Sequence, residues 1–143
     1  MRINSPYLAI LFIVFFLFSG CCTTKKQNID EAMLLKHSFT LQSVDGVTFK
    51  SERVIPSLTF NDNMSISGSM CNRFMGQGTL ENNILKAQMA STMMICPENE
   101  LNQYEHLFYK MLAEGVELEY SGNILTLRQS AHVFIYKLKD ISN

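Results

Sequence analysis

The sequence predicts an α+β domain, a mostly antiparallel sheet with one long helix laid across it. Three observations carry that expectation. Short runs of alternating apolar and polar residues recur along the chain, bounded by Gly, Asn, Asp or Pro. One stretch, Pro97 to Ala113, repeats its apolar residues at helical spacing. Three more strand-like runs follow that helix and close the chain.

Taken in order, His37 to Val44 reads as a strand alternating at Phe39 and Leu41 and ending at the Asp45-Gly46 turn. Val47 to Phe49 is a short return strand. Ser57 to Phe60 follows Pro56, and Asn61-Asp62-Asn63 turns into its partner, Met64 to Gly68. Gln77 to Leu80 and Ile84 to Gln88 flank Glu81-Asn82-Asn83 as another hairpin. In the helix, Leu101, Tyr104, Leu107, Phe108, Met111 and Leu112 form one apolar face. Pro97 suits the first helical position, where its missing N–H costs nothing. Glu98 and Glu100 suit the first turn, where the helix dipole favours negative charge. Gly115 is the expected C-terminal cap. Val116 to Tyr120, Ile124 to Leu127 and His132 to Leu138 are the last strands. The final one is apolar on both faces, as a central or covered strand is.

The N-terminus reads as an export segment. Arg2 is a short positive n-region, and Tyr7 to Phe18 is an unbroken apolar run. That run falls short of the roughly 20 residues a membrane span needs. It fits a signal-peptide apolar region of about 7–15 residues. Phe18-Ser19-Gly20-Cys21 resembles a bacterial lipobox, with Phe18 in place of the usual Leu. The expected cut precedes Cys21, whose thiol takes a diacylglycerol. Several acyl chains together anchor a protein stably. Residues 1–20 are thus expected to be a lipoprotein signal, 21–35 a lipidated start and polar tether, and 36–143 one domain. Cys22, rather than Asp, follows the lipidated position, which by analogy favours the outer membrane, facing the periplasm. The net charge of −1 includes Arg2. There is no basic cluster, so nucleic-acid binding is not expected.

The segment Gly68 to Pro97 is the least generic part. Gly68-Ser69-Met70-Cys71-Asn72-Arg73-Phe74, then Gly76, then Ser91-Thr92-Met93-Met94-Ile95-Cys96-Pro97, then a helix containing Glu105, resembles the META domain pattern. Thr126-Leu127 and Tyr136 to Leu138 fit its closing run. The resemblance covers Ser38 to Asn143 and is near to the heat-inducible lipoproteins of Gram-negative bacteria. It implies a curved, partly barrel-like antiparallel sheet around the helix. It also implies an envelope protein linked to heat stress and novobiocin tolerance. A likeness to secretin pilot lipoproteins is fold-level analogy. The family brings no established catalytic residues.

Cys71 and Cys96, beyond an export signal, read as a disulfide. Two buried free thiols are the alternative. A metal site is not expected, because His37, His106 and His132 are scattered and no C-x-x-C occurs. No cofactor is expected, and the protein is expected to be a monomer. Asn72, Arg73, Thr92, Met93 and Met94 form a candidate binding loop. Against that, Asn72 is expected to bond within its own loop, Arg73 to be solvated and Thr92 to cap a turn or the helix. Met89, Met93 and Met94 are expected to fill the core; the alternative is a Met-lined groove for a partner peptide or hydrophobic ligand. Glu98, Glu100 and Glu105 are expected to be solvated helix charges. An enzyme would need a base such as His106 beside Cys96, and nothing in the sequence places one there. The expectation is a non-enzymatic accessory or binding module, with a carrier of a hydrophobic ligand inside the sheet as the second reading.

Overall fold

A strand that alternates has one apolar face, and a sheet built from such strands can bury that face by closing on itself. This chain does so. The computed structural model describes residues 27–51 and 53–139. The export segment, Cys21 and Cys22 lie outside the described residues. The elements are β1 (His37–Val44), β2 (Val47–Thr48), β3 (Ser57–Phe60), β4 (Ser65–Ser69), β5 (Arg73–Glu81), β6 (Ile84–Ser91), α1 (Asn99–Glu114), β7 (Val116–Ser121), β8 (Ile124–Gln129) and β9 (His132–Leu138). All pairings are antiparallel. The order β1-β3-β4-β5-β6-β7-β8-β9 returns to β1, giving a closed eight-stranded barrel with β2 as a short flap on β1.

The expected sheet was only partly barrel-like; the observed one is closed. Closure comes from β1 pairing with β9, Phe39 opposite Leu138 and Val44 opposite Phe134. The register slips between Leu41 and Ser43. That bulge lets Phe39, Leu41 and Val44 all face inward although their spacing changes. β5 and β6 run longer than expected, through the Met75–Gly76 and Met89–Ala90 rows. The helix starts two residues later than expected. Pro97 lies outside it and Glu98 is its N-cap, without a side-chain capping bond, so only Glu100 carries charge in the first turn. Gly115 ends it as expected, its N–H donating to the Met111 carbonyl.

The barrel has one weak seam. β6 and β7 pair over only two rows, Ile84 opposite Glu117 and Leu85 opposite Val116. The helix connects these two strands and packs along β6. Its apolar face turns inward, and the Phe108 ring lies 5.4 Å from Phe74, 5.8 Å from Phe134 and 6.3 Å from Tyr136. Leu101, Phe108, Leu112, Phe39, Leu58, Phe60, Leu85 and Phe134 are all fully buried. The interior is therefore filled by side chains. Residues 27–35, read from sequence as tether, supply Ile29 and Leu34 to this core.

The strand registers define two ends. One carries residues 27–36, the β3–β4, β5–β6 and β7–β8 turns and Lys139. The other carries the β1–β2 and β8–β9 turns, the Met70–Asn72 connection and the loop from β6 to α1. At this second end Asp45 and Gly46 take φ of 50° and 81°, as a two-residue hairpin requires. Asp45 Oδ1 accepts from the Val133 N–H at 2.7 Å, and Oδ2 lies 2.9 Å from His132 Nδ1.

Partial burial pushes the Asp45 carboxyl up, but the hydrogen bonds from His132 and Val133 outweigh it and hold it below its ordinary value. A depressed carboxylate contributes stability above its ordinary pKa and loses it as pH falls through the folded value. Because the pair is well exposed, Asp45→Asn should cost no more than about 1 kcal/mol at pH 7. Urea midpoints at pH 7 and in acid below the ordinary carboxylate range check this: the gap to wild type should close in acid.

Candidate functional site

The residues singled out by the motif meet at the second end of the barrel. Gly68 is inward-facing on β4, where an added Cβ would stand 2.7 Å from the Phe74 ring. On Gly76 it would stand 2.6 Å from Met89 Sδ. At both positions the Cβ would meet a backbone carbonyl of the adjacent strand first, Ser57 at Gly68 and Gln88 at Gly76, so the glycines admit close backbone approach as well as the neighbouring side chain. Between β4 and β5 the chain turns through Met70, Cys71 and Asn72. Cys71 is bonded to Cys96, with Cα atoms 5.9 Å apart, within the usual range. The disulfide reading holds, and the free-thiol alternative does not.

Asn72 is the hub. It is 5% exposed. Its Oδ1 accepts from the Met94 N–H at 2.7 Å and the Thr92 hydroxyl at 2.9 Å. Its Nδ2 donates to Glu105 Oε1 at 2.8 Å and to the Met94 carbonyl at 3.4 Å. The side-chain amide thus stands in for a strand edge and holds the chain leaving β6. Glu105, 6% exposed, accepts two more bonds at Oε2, from the N–H groups of Asn72 at 2.7 Å and Cys71 at 3.1 Å. Thr92 completes the set: its hydroxyl accepts from the Arg73 N–H at 3.2 Å and its N–H donates to the Arg73 carbonyl at 3.0 Å.

Several expectations need correction here. Asn72 does not merely bond its own loop; it joins β5, the β6–α1 loop and the helix. Thr92 caps neither turn nor helix. Glu105 is not a solvated charge but a buried one, because its position falls on the apolar stripe with Leu101, Phe108 and Leu112. A carboxylate on that stripe was the available signal. Met93 and Met94 do not fill the core: they are 97% and 63% exposed, and Ile95 is 96% exposed. Met89 is half-buried and packs toward Gly76. Arg73 is exposed, as expected.

Little else at this end is chemically reactive. The Cys96 sulfur is spent in the disulfide, and His106 is exposed on the helix. Among the described residues no cluster of His, Cys, Asp or Glu is arranged to hold a metal ion. Burial pushes the Tyr136 hydroxyl far above its ordinary value and the Tyr109 hydroxyl up to about 12. Both stay protonated at neutral pH.

Fold and site together define a small closed barrel whose helix is stapled to one end by a disulfide and a buried Asn–Glu pair. The chain belongs to the META domain family, whose model matches residues 32–140. It is 38% identical over 128 residues to the heat shock protein HslJ of Escherichia coli (strain K12), spanning 89% of this chain and 91% of that one. A structure solved by NMR superposes with a TM-score of 0.75 at 38% identity, covering 81% of this chain and all of the other. A second NMR structure, from Burkholderia xenovorans, shares the fold with a TM-score of 0.61 at 19% identity, covering 79% and 90%.

Two outcomes follow. The 25-residue separation of the cysteines makes the crosslink worth about 3.5 kcal/mol by loop entropy. Reduction should lower Tm by about 10–20 °C in a domain of this size, read by circular dichroism with and without reductant. Glu105→Gln should cost about 2–3 kcal/mol in urea unfolding. The new amide would turn an N–H toward a donor whichever way it is placed. Flipping Asn72 to repair that would unpair the Met94 N–H.

Proposed function

We propose that this protein is a lipid-anchored, non-enzymatic envelope protein that serves as a binding module in stress tolerance. The anchor is Cys21, the membrane is the outer one, and the domain faces the periplasm. One observation carries the binding reading. The polar groups of the motif are used up in holding the structure, while Met93, Met94 and Ile95 stand open to solvent beside them. What the site offers a partner is apolar contact on a stapled loop, and methionine adapts well to such surfaces. The kinship with a heat shock protein supports a stress role, and the family resemblance extends it to novobiocin tolerance.

A hydrophobic ligand is the second reading, moved from the inside of the sheet to the outside. The barrel interior is filled by side chains. Leu41, Phe49, Val54, Ile55 and Pro56 instead line an open groove of about 540 Å³ near the same end.

The test is complementation of a strain lacking the protein. Met93→Asp with Ile95→Asp should fail to restore growth under heat or novobiocin, although the protein folds and sediments with membranes. His106→Ala should restore it. Full rescue by the loop variant, or turnover of a substrate lost with His106→Ala, would refute the proposal.

A further inference from the structure

We propose that the barrel end carrying Asn83 rests against the bilayer of the anchoring membrane, so that the disulfide end with Met93–Ile95 points away from it. The inference builds on the lipid anchor at Cys21 and adds the surface that meets the lipid.

It starts from a polar side chain with an unusual task. Asn83, in the β5–β6 turn, is 3% exposed. Its Oδ1 accepts from the Ile29 N–H and its Nδ2 donates to the Gln27 carbonyl, both at 2.8 Å. Its own carbonyl accepts from the Leu118 N–H at 2.8 Å. Ile29 is itself buried in the core, and Asp30 caps the short helical turn Glu31–Met33 that follows. The incoming chain is therefore fixed to the domain from Gln27 onward. It is fixed at the end that also carries the β3–β4 and β7–β8 turns.

From Cys21 to Gln27 the chain reaches about 20 Å at full extension. The nine residues of β5 extend about 30 Å. Tilted by about 40°, as barrel strands are, β5 spans about 23 Å along the barrel axis; a six-residue chain spans on the order of 13 Å on average, too little to bring the opposite end of the barrel down to the membrane. The near end carries exposed Lys36, Lys137 and Lys139, but also exposed Asp62 and Glu81. With both signs present, attraction to anionic headgroups does not place the domain; the shortness of the chain before Gln27, where it is fixed to the domain, does. Lys50, exposed beside Ser51, whose hydroxyl donates to Glu98 at the start of the helix, marks the far end.

The experiment compares lysine acetylation of the acylated protein in phosphatidylethanolamine–phosphatidylglycerol vesicles with that of a soluble Cys21→Ser protein. The expected result is several-fold slower modification of Lys36, Lys137 and Lys139, with Lys50 unchanged. Equal protection of Lys50, or no protection at the three near lysines, would overturn the placement. A Gly-Ser insert of about ten residues after Lys26 leaves the fold untouched and frees the domain. Protection should then fall toward the soluble value, and protection that persists would count against the tether as its cause. To separate this from the anchor itself, a chain starting at Cys22 is coupled there to a maleimide lipid. The same lysine pattern on that chain supports the placement even if metabolic labelling finds no acyl group on Cys21. Its absence overturns the placement whatever the labelling shows.

Discussion

A carboxylate taken out of water must be met by donors, and Glu105 sits on the buried stripe of the only α-helix among the described residues. Leaving it unpaired would cost several kcal/mol. Three N–H groups meet it, two from the backbone at Cys71 and Asn72 and one from the Asn72 amide. Those donors converge only when the β4–β5 connection and the helix take one relative position. The rest of the architecture inherits that position. The Phe108 ring reaches Phe74 and Phe134 because the helix is held there. The chain leaving β6 follows because the other side of the same amide binds Met94.

The seam explains why such a device sits where it does. β6 and β7 share only two rows, so backbone pairing alone leaves the barrel open beside the helix. The helix seals that opening by packing, and each of its ends is tied down by side chains. At the start are Glu105 and the disulfide. At the finish Gln129 donates to the Gly115 carbonyl at 2.8 Å and adds a second bond, at 3.3 Å, to the Met111 carbonyl that already accepts from the Gly115 N–H. The family motif is in this light a set of packing instructions. Gly68 and Gly76 give space, Cys71 and Cys96 crosslink, and Asn72 and Thr92 satisfy the loop.

Local patterning made most of the strands legible, because alternation and turn residues act over a few positions. His37–Val44, Ser57–Phe60 and His132–Leu138 appear with the bounds read from sequence. Closure was not legible. It depends on the pairing of β1 with β9, and on a bulge at Gln42 that breaks the two-residue alternation between Leu41 and Val44. The motif residues were found, but their roles were not. Asn72 looks like a turn residue because its partners lie 22 and 33 positions away. Met93 and Met94 look like core because hydrophobicity says nothing of a backbone turned outward by the bonds of Met94 to Asn72. Asn83 gave no signal beyond its place in an Asn-Asn turn, since its partners precede the first strand.

The pairing of β1 with β9 also sets an order of events. The first strand of the barrel finds its second neighbour only in the last, with Phe39 waiting for Leu138. Contacts between distant parts of a chain form slowly, because the loop must close before the contact repays it. A chain emerging from its N-terminus therefore cannot shut the barrel until its final strand is free. Until then β1 offers an unpaired edge, a template for pairing with other chains. For this topology the barrel is complete only when β9 has joined β1.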